Sequence, residues 1–311
     1  MLTSPSCILI RQSGIRGNNM EYSYVDKKWA VSGMSRTLVL LRKNATLTTG
    51  ILLFTLITML AVTASTISPN DPAEMHFEER LSSPSASFPL GTDQFGRCIF
   101  SRILYGAQTS LSIAIISTLI VATIGIIVGM YAGYFSRYDA FLMRVTDILL
   151  AFPNIVLAIA IVGVVGPSPA GIILSFSISG WAKYARMIRG STLSLKNSGF
   201  VEAARALGAS DKYILFRHIL PNSCGPIIEI ATLGLGSRIV AISGLGFLGL
   251  GIQPPTPELG AILKDGVVYL QTAPMMALSA GGMIMLFVLA TNLIGSELRS
   301  IADPRSDTIE L

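Results

Sequence analysis

Apolar runs long enough to cross a bilayer alternate along the chain with short polar segments. No charge stands between Lys43 and Asp71, and about 20 apolar residues span the hydrocarbon core as a helix. Residues 46–67 therefore predict one membrane helix. A second is predicted near 107–133, inside the uncharged run from Ile103 to Ser136. The next uncharged run, Ile148 to Ala182, is interrupted by Gly-Pro-Ser-Pro from Gly166 to Pro169. Proline donates no backbone hydrogen bond, and both residue types punctuate helices. A tight hairpin is thus expected between helices at 142–164 and 169–187. Further spans are predicted near 218–246 and 276–296. The pattern describes an all-α polytopic membrane protein with six transmembrane helices.

Six spans place both termini on one side. Eighteen Lys and Arg residues fall in the N-terminal tail, the 134–146 loop, the 183–217 loop and the C-terminal tail. Four fall on the opposite side: Arg80, Arg97, Arg102 and Lys264. Short basic loops stay in the cytoplasm. The tail 1–45, the loop 188–217 and the tail 297–311 are accordingly assigned to the cytoplasm. The anchor helix 46–67 leads to an extracytoplasmic segment, 68–106, and then to a helical domain, 107–296. Composition agrees, with 51% hydrophobic and 13% charged residues and a mean hydropathy of +0.62; soluble domains carry about a quarter charged residues. The net charge of +5 is spread in blocks between spans and forms no single patch, which argues against nucleic-acid binding.

Cys7, Cys98 and Cys224 stand far apart, so neither a disulfide framework nor a metal motif is predicted. His76 and His218 are likewise distant and suggest no dyad. The 46–67 run reads as a retained anchor, because some 45 mostly polar residues precede it and it exceeds the apolar core of a cleaved leader. Met20 and Met34 are alternative starts. Residues 27–43 predict a basic helix on the anionic inner leaflet.

One polar segment breaks the apolar pattern: "FVEAARALGASDKYILFRHILPN", Phe200 to Asn222. Phe200, Ala203, Ala204 and Leu207 recur at helical spacing and predict one face. The two alanines keep it shallow. Glu202 lies in the first turn, where the helix dipole favours an anion, and can pair with Arg205 three residues on. Gly208 suits the left-handed residue after a helix end. Ser210 can cap a second helix from Asp211. Leu220-Pro221 then marks the return to the membrane, with proline in a first turn. A helix lying on lipid headgroups and a peg inserted into a partner protein both fit. Two large apolar side chains are few for a lipid anchor.

The segment resembles the EAA loop of ABC importer permeases. The matching residues are Glu202, Ala203, Ala204, Leu207 and Gly208, then Leu220 and Pro221. His218 replaces the usual isoleucine, as in the peptide-type branch. "LGTDQFGRCIFSRILYGAQTSL" (90–111), "LGFLGLGIQPPTPELG" (245–260) and "NLIGSELRSIADPR" (292–305) are similar to further stretches of the dipeptide/oligopeptide/nickel branch. The likeness covers about 45–305. Cys98, Gln108, Leu259 and Ser296 depart from the usual residues, which bears on substrate and leaves the EAA loop intact.

The resemblance implies a five-helix type I importer core plus an N-terminal anchor helix. It implies a transport subunit that is no enzyme and binds no cofactor or metal. ATP and Mg would be bound by two cytoplasmic ATPase subunits that grip residues 199–207. A second homologous permease, forming a heterodimer, and an extracytoplasmic binding protein are the other implied partners. The substrate would be a di- or oligopeptide, or alternatively nickel or a metal chelate. No Walker A loop occurs in the chain; the glycine-rich run 244–251 lacks its Lys-Ser/Thr. Asp93, Arg97 and Arg102 are candidate receptor contacts. Asp147, Glu229 and Arg238 are candidates for the translocation path or a subunit seam, since intramembrane charges are costly; simple interhelical pairs are the alternative. Glu229 and Arg238, about 900° apart on one helix, cannot pair with each other. An ion-driven transporter would call for paired repeats with broken helices. A membrane enzyme would call for a Ser–His or paired-carboxylate set. Neither pattern is found.

Overall fold

A computed structural model describes residues 44–302. The readings made for the N-terminal tail up to residue 43 and for residues 303–311 lie outside them. The described chain is helical throughout, apart from loops and one antiparallel bridge between Thr92 and Cys98. The expected anchor is α1 (Ala45–Val62), prolonged by one turn at Ala64–Ile67. Segment 68–98 follows, with a single 3-10 turn at Phe77–Glu79. Next come α2 (Ile99–Tyr134), α3 (Ser136–Ala151), α4 (Asn154–Val165) and α5 (Pro169–Lys196). A short helix, α6 (Gly199–Ala206), opens the polar segment. The chain closes with α7 (Cys224–Phe247), α8 (Leu259–Val268) and α9 (Pro274–Ala302).

Among the described residues, α1, α2, α7 and α9 are long and apolar enough to cross a membrane. The α3–α4 pair makes a fifth span if counted as one. It is not the straight helix expected over 142–164, because it bends by 87° at Phe152-Pro153. Proline pushes the residue before it out of helical geometry. The GPSP break falls as expected: α4 stops at Val165, and Ser168 Oγ accepts from the Gly171 N–H at 3.0 Å to open α5. Proline at the first position of α5 loses no hydrogen bond. The second half of α5 carries Lys183, Arg186, Arg189 and Lys196, so this helix leaves the apolar layer well before its end. The 36 residues of α2 exceed the predicted 107–133 at its start. Ile99, Ile103 and Leu104 are buried there against other helices, which extends the helix beyond its most apolar core.

The long helices α2 and α5 pack along each other. Their seam is lined by Gly125, Gly129 and Gly133, four residues apart on one side of α2. A Cβ at Gly129 would stand 2.6 Å from the Ala185 carbonyl oxygen, and one at Gly133 would stand 2.7 Å from Thr192 Cβ. Small residues at this spacing let two helix backbones touch. A large apolar cluster fills the middle of the bundle, with Ala107 and Leu111 of α2, Phe176 of α5, Ile239 and Ile242 of α7 and Phe287 of α9. A separate smaller cluster lies at the opposite end of α2, where Met130, Tyr134 and Ile188 receive Val201, Ile214, Leu215 and Ile219.

Candidate functional site

The polar segment is built as a bent arm seated on that smaller cluster. Its first helix, α6, closes through two hydrogen bonds. Ala209 N–H donates to the Ala204 carbonyl, and Gly208 N–H donates to the Arg205 carbonyl, both at 3.0 Å. This pairing requires a left-handed residue after the helix, and Gly208 has φ +82°. Ser210 then caps the next turn, Asp211–Tyr213, accepting from Tyr213 N–H at 3.4 Å. Both features agree with the reading from sequence. The following turn does not. Residues Ile214–Ile219 widen into a π-helix before Leu220–Asn222. Pro221 supplies no N–H to the preceding turn. The wider turn puts Ile214, Leu215 and Ile219 together on the buried side. Pro221 stands at the start of the Leu220–Asn222 helix, as expected of a first-turn proline, but a widened turn precedes it.

The face of α6 also differs from expectation. Val201 is buried and Ala204 packs against the smaller cluster. The exposed side carries Phe200, Ala203, Ala206 and Leu207, with Glu202 beside them. Leu207 is 89% exposed. Ala204 therefore seats the arm, while Phe200, Ala203 and Leu207 face outward. His218 sits between the rings of Phe200 and Tyr213, with centroids 6.2 and 5.5 Å away, tying the two halves of the arm together. Arg205 stays exposed and meets the hydroxyl of Tyr134, with Glu202 acting on it only as a weaker charge. The contact with Tyr134 holds the Arg205 guanidinium above its ordinary pKa. Tyr134 Oη donates to Asp211 Oδ1 at 2.7 Å, and Lys196 Nζ donates to the Tyr134 carbonyl at 2.5 Å. A bidentate pair, Arg189 to Asp139 at 2.5 and 2.6 Å, pins the end of α5 to α3.

The remaining candidates are scattered. Asp93, Arg97 and Arg102 are 1%, 3% and 5% exposed, so they do not form a docking surface. Asp93 accepts from Arg97 Nε at 2.6 Å and lies 3.4 Å from Arg102 Nε; it also accepts from the N–H groups of Phe95 and Arg97. Arg102 Nη1 donates to the Pro72 carbonyl at 3.3 Å. The triad fastens segment 68–98 to the start of α2, because buried charges need this full set of partners. Asp147 and Glu229 meet Arg186 and Arg299 in outer, partly exposed pairs. Arg238 is buried against α5, its Nη1 3.5 Å from the Phe176 carbonyl oxygen and its guanidinium over the Phe176 ring. The three intramembrane candidates are not brought together. Among the described residues, no cluster of three His, Cys, Asp or Glu side chains can hold a metal ion.

A family model described as "Binding-protein-dependent transport system inner membrane component" matches residues 123–306, which include the whole arm. The chain belongs to this family. It is similar to the dipeptide transport system permease protein DppC of Alkalihalophilus pseudofirmus, 41% identical over 90% of this chain and 92% of the relative. It is also similar to the glutathione transport system permease protein GsiD of Pectobacterium atrosepticum, 41% identical over 85% and 88%. GsiD of an Escherichia coli strain is 42% identical over 83% and 86%. Among solved structures, inward-facing conformations of the MetNI methionine ABC transporter share the fold. One has a TM-score of 0.53 and 19% identity, covering 64% of this chain and 96% of that one.

This permease also holds an acid that the sequence reading did not single out. Glu258 is fully buried where the loop after α7 meets α8. Its carboxylate accepts from the N–H groups of Gly260 at 2.8 Å and Ala261 at 3.0 Å, capping α8. Ser110 Oγ of α2 lies 3.5 Å away. Gly246 and Gly251 leave room for the carboxylate, which a Cβ at Gly246 would overlap. Burial outweighs these donors and lifts the Glu258 pKa from 4.5 to about 7. The visible signal is the Pro-Glu-Leu-Gly sequence, an acid directly before a helix.

Proposed function

We propose that this chain is the permease half of a peptide importer powered by separate ATPase subunits. The two ATPases bind ATP with Mg and grip α6 of this chain and its counterpart in a second, homologous permease. An extracytoplasmic binding protein delivers the peptide. The arm and both termini lie in the cytoplasm in this reading, which the distribution of Lys and Arg supports. The observation that carries the reading is the division of α6 into a seated face and a bare one. Val201 and Ala204 are anchored, while Phe200, Ala203 and Leu207 stand exposed at a fixed angle. A small-residue helix with an isolated exposed leucine fits a groove in a folded partner. The rocking of two packed halves then converts ATPase closure into alternating access. A small peptide is favoured as cargo by the similarity to dipeptide and glutathione permeases.

The test is site-directed cross-linking from a photoreactive group at Ala203, run beside uptake of labelled dipeptides. The ATPase subunit is expected in the cross-linked product, and a tenfold excess of unlabelled dipeptide is expected to suppress uptake. Products that never contain an ATPase would reject the coupling role. Uptake blocked only by Ni(II) chelates would reject the peptide cargo.

A further inference from the structure

Force delivered to the arm needs a route into the spanning helices, and the chain offers two. The covalent route runs forward into α7. It is helical but uneven: the π-helical turn 214–219 leads through Leu220–Asn222 and Ser223, whose N–H donates to the Ile219 carbonyl at 3.0 Å, into α7. The other route is lateral, into α2 and α5, and it converges on one residue. Tyr134 is the last residue of α2. Its ring belongs to the cluster that seats Val201, Ile214, Leu215 and Ile219. Its hydroxyl donates to Asp211 at 2.7 Å and meets Arg205, so it touches both halves of the arm. Its carbonyl accepts from Lys196 at the end of α5.

One observation makes α2 and α5 a single body behind this joint. The glycine seam brings their backbones into contact at Gly125, Gly129 and Gly133. Interlocked packing of this kind does not slide continuously. Ser191 of α5 also exchanges a 3.0 Å hydrogen bond with Ser223, so the start of α7 is itself held to α5. Ile227 of α7 reaches only the margin of the cluster.

We propose that Tyr134 is the positioning residue that rivets the arm to the α2–α5 pair, so that a push on α6 swings those two helices as one lever. The inference deepens the proposed function and rests on it for the source of the push. The rivet itself stands on the contacts of this chain alone.

The test uses the assembled transporter in proteoliposomes, with this chain carrying Tyr134→Phe, Asp211→Ala, both together, or Asp211→Asn. Phenylalanine keeps the ring in the cluster and removes only the hydroxyl. Loss of a hydrogen bond to a charged group is worth roughly tenfold or more. Tyr134→Phe and Asp211→Ala are each expected to lower the peptide imported per ATP hydrolysed by about that factor. The double variant should be no worse than either single, because the two groups share one contact. Asp211→Asn, which keeps the acceptor, should stay near the wild type. An unchanged import-to-hydrolysis ratio in both single variants, or losses that multiply in the double, would overturn the proposal. Amide exchange over 199–213, measured on the same preparations, reads the rivet without any transport. Exchange there is expected to quicken in Tyr134→Phe, and unchanged exchange would overturn the rivet even with transport intact. Quickened exchange in a wild-type-assembled complex that never couples ATP to peptide would instead reject the proposed function.

Discussion

Single side chains carry two separable tasks in this permease, contact and placement. Leu207 has almost no intramolecular contact, so its replacement by Asp should leave the thermal midpoint of the purified chain unchanged while lowering uptake at least about tenfold, a loss typical of a buried interface anchor. A matching drop in the midpoint would move Leu207 into the fold. Glu258 makes a pH-dependent claim. Its folded pKa of about 7 lies above the ordinary 4.5, so between these values the folded chain binds more protons than the unfolded one. Stability should fall as pH rises from 4.5 to 7 and level off above, by roughly 3 kcal/mol in all. Glu258→Gln should flatten that slope in thermal unfolding between pH 4.5 and 8; a slope retained in the variant would assign it to another group. At this scale sequence reading succeeded where backbone geometry is local, as at Gly208 and Ser210. It failed for Asp93, Arg97 and Arg102, which their place in the outer segment offered as receptor contacts and which are buried. Their burial depends on Pro72 and the start of α2 coming together around them, which no local spacing announces.

Helices were legible as elements, but their faces and breaks were less so. Periodicity over eight residues grouped Ala204 with Phe200 and Leu207, and the seat formed by Met130, Tyr134 and Ile188 decided otherwise. The glycines of "GIIVGMYAG" stood in plain view at a four-residue spacing, yet their partner could only be named once α5 was placed beside them. Gly129 supplies the prediction at this scale. Valine there would put its Cβ 2.6 Å from the Ala185 carbonyl oxygen and 2.7 Å from Ile188 Cβ. The helix pair must separate, at a cost of about 1–3 kcal/mol or more for an overpacked core. Gly129→Val should therefore lower the thermal midpoint of the detergent-purified chain by several degrees. Gly163→Val, where a Cβ meets nothing within 4 Å, should not. Equal midpoints for the two variants would show that the seam tolerates a side chain and that α2 and α5 are not locked.

At the largest scale, the described residues form a helical bundle with an arm at one end and a buried ion-pair staple, Asp93 with Arg97 and Arg102, near the far end of α2. If the basic loops lie in the cytoplasm, an alkaline phosphatase fused after Met75 should be active and one fused after Arg205 inactive. The reverse pattern would invert the topology and remove the arm from any ATPase. Sequence alone determined the apolar spans, their breaks at Gly166 to Pro169, the charge asymmetry and the two-part arm. These depend on hydrophobicity, on proline and glycine backbone limits and on side-chain charge, all properties of short stretches. Tertiary structure alone decided which face of α6 is bare, that the outer charges are internal, that Glu258 is enclosed, and that Tyr134 joins three elements. Each of these depends on residues far apart in the chain coming within a few ångströms, and that is set by how whole helices pack.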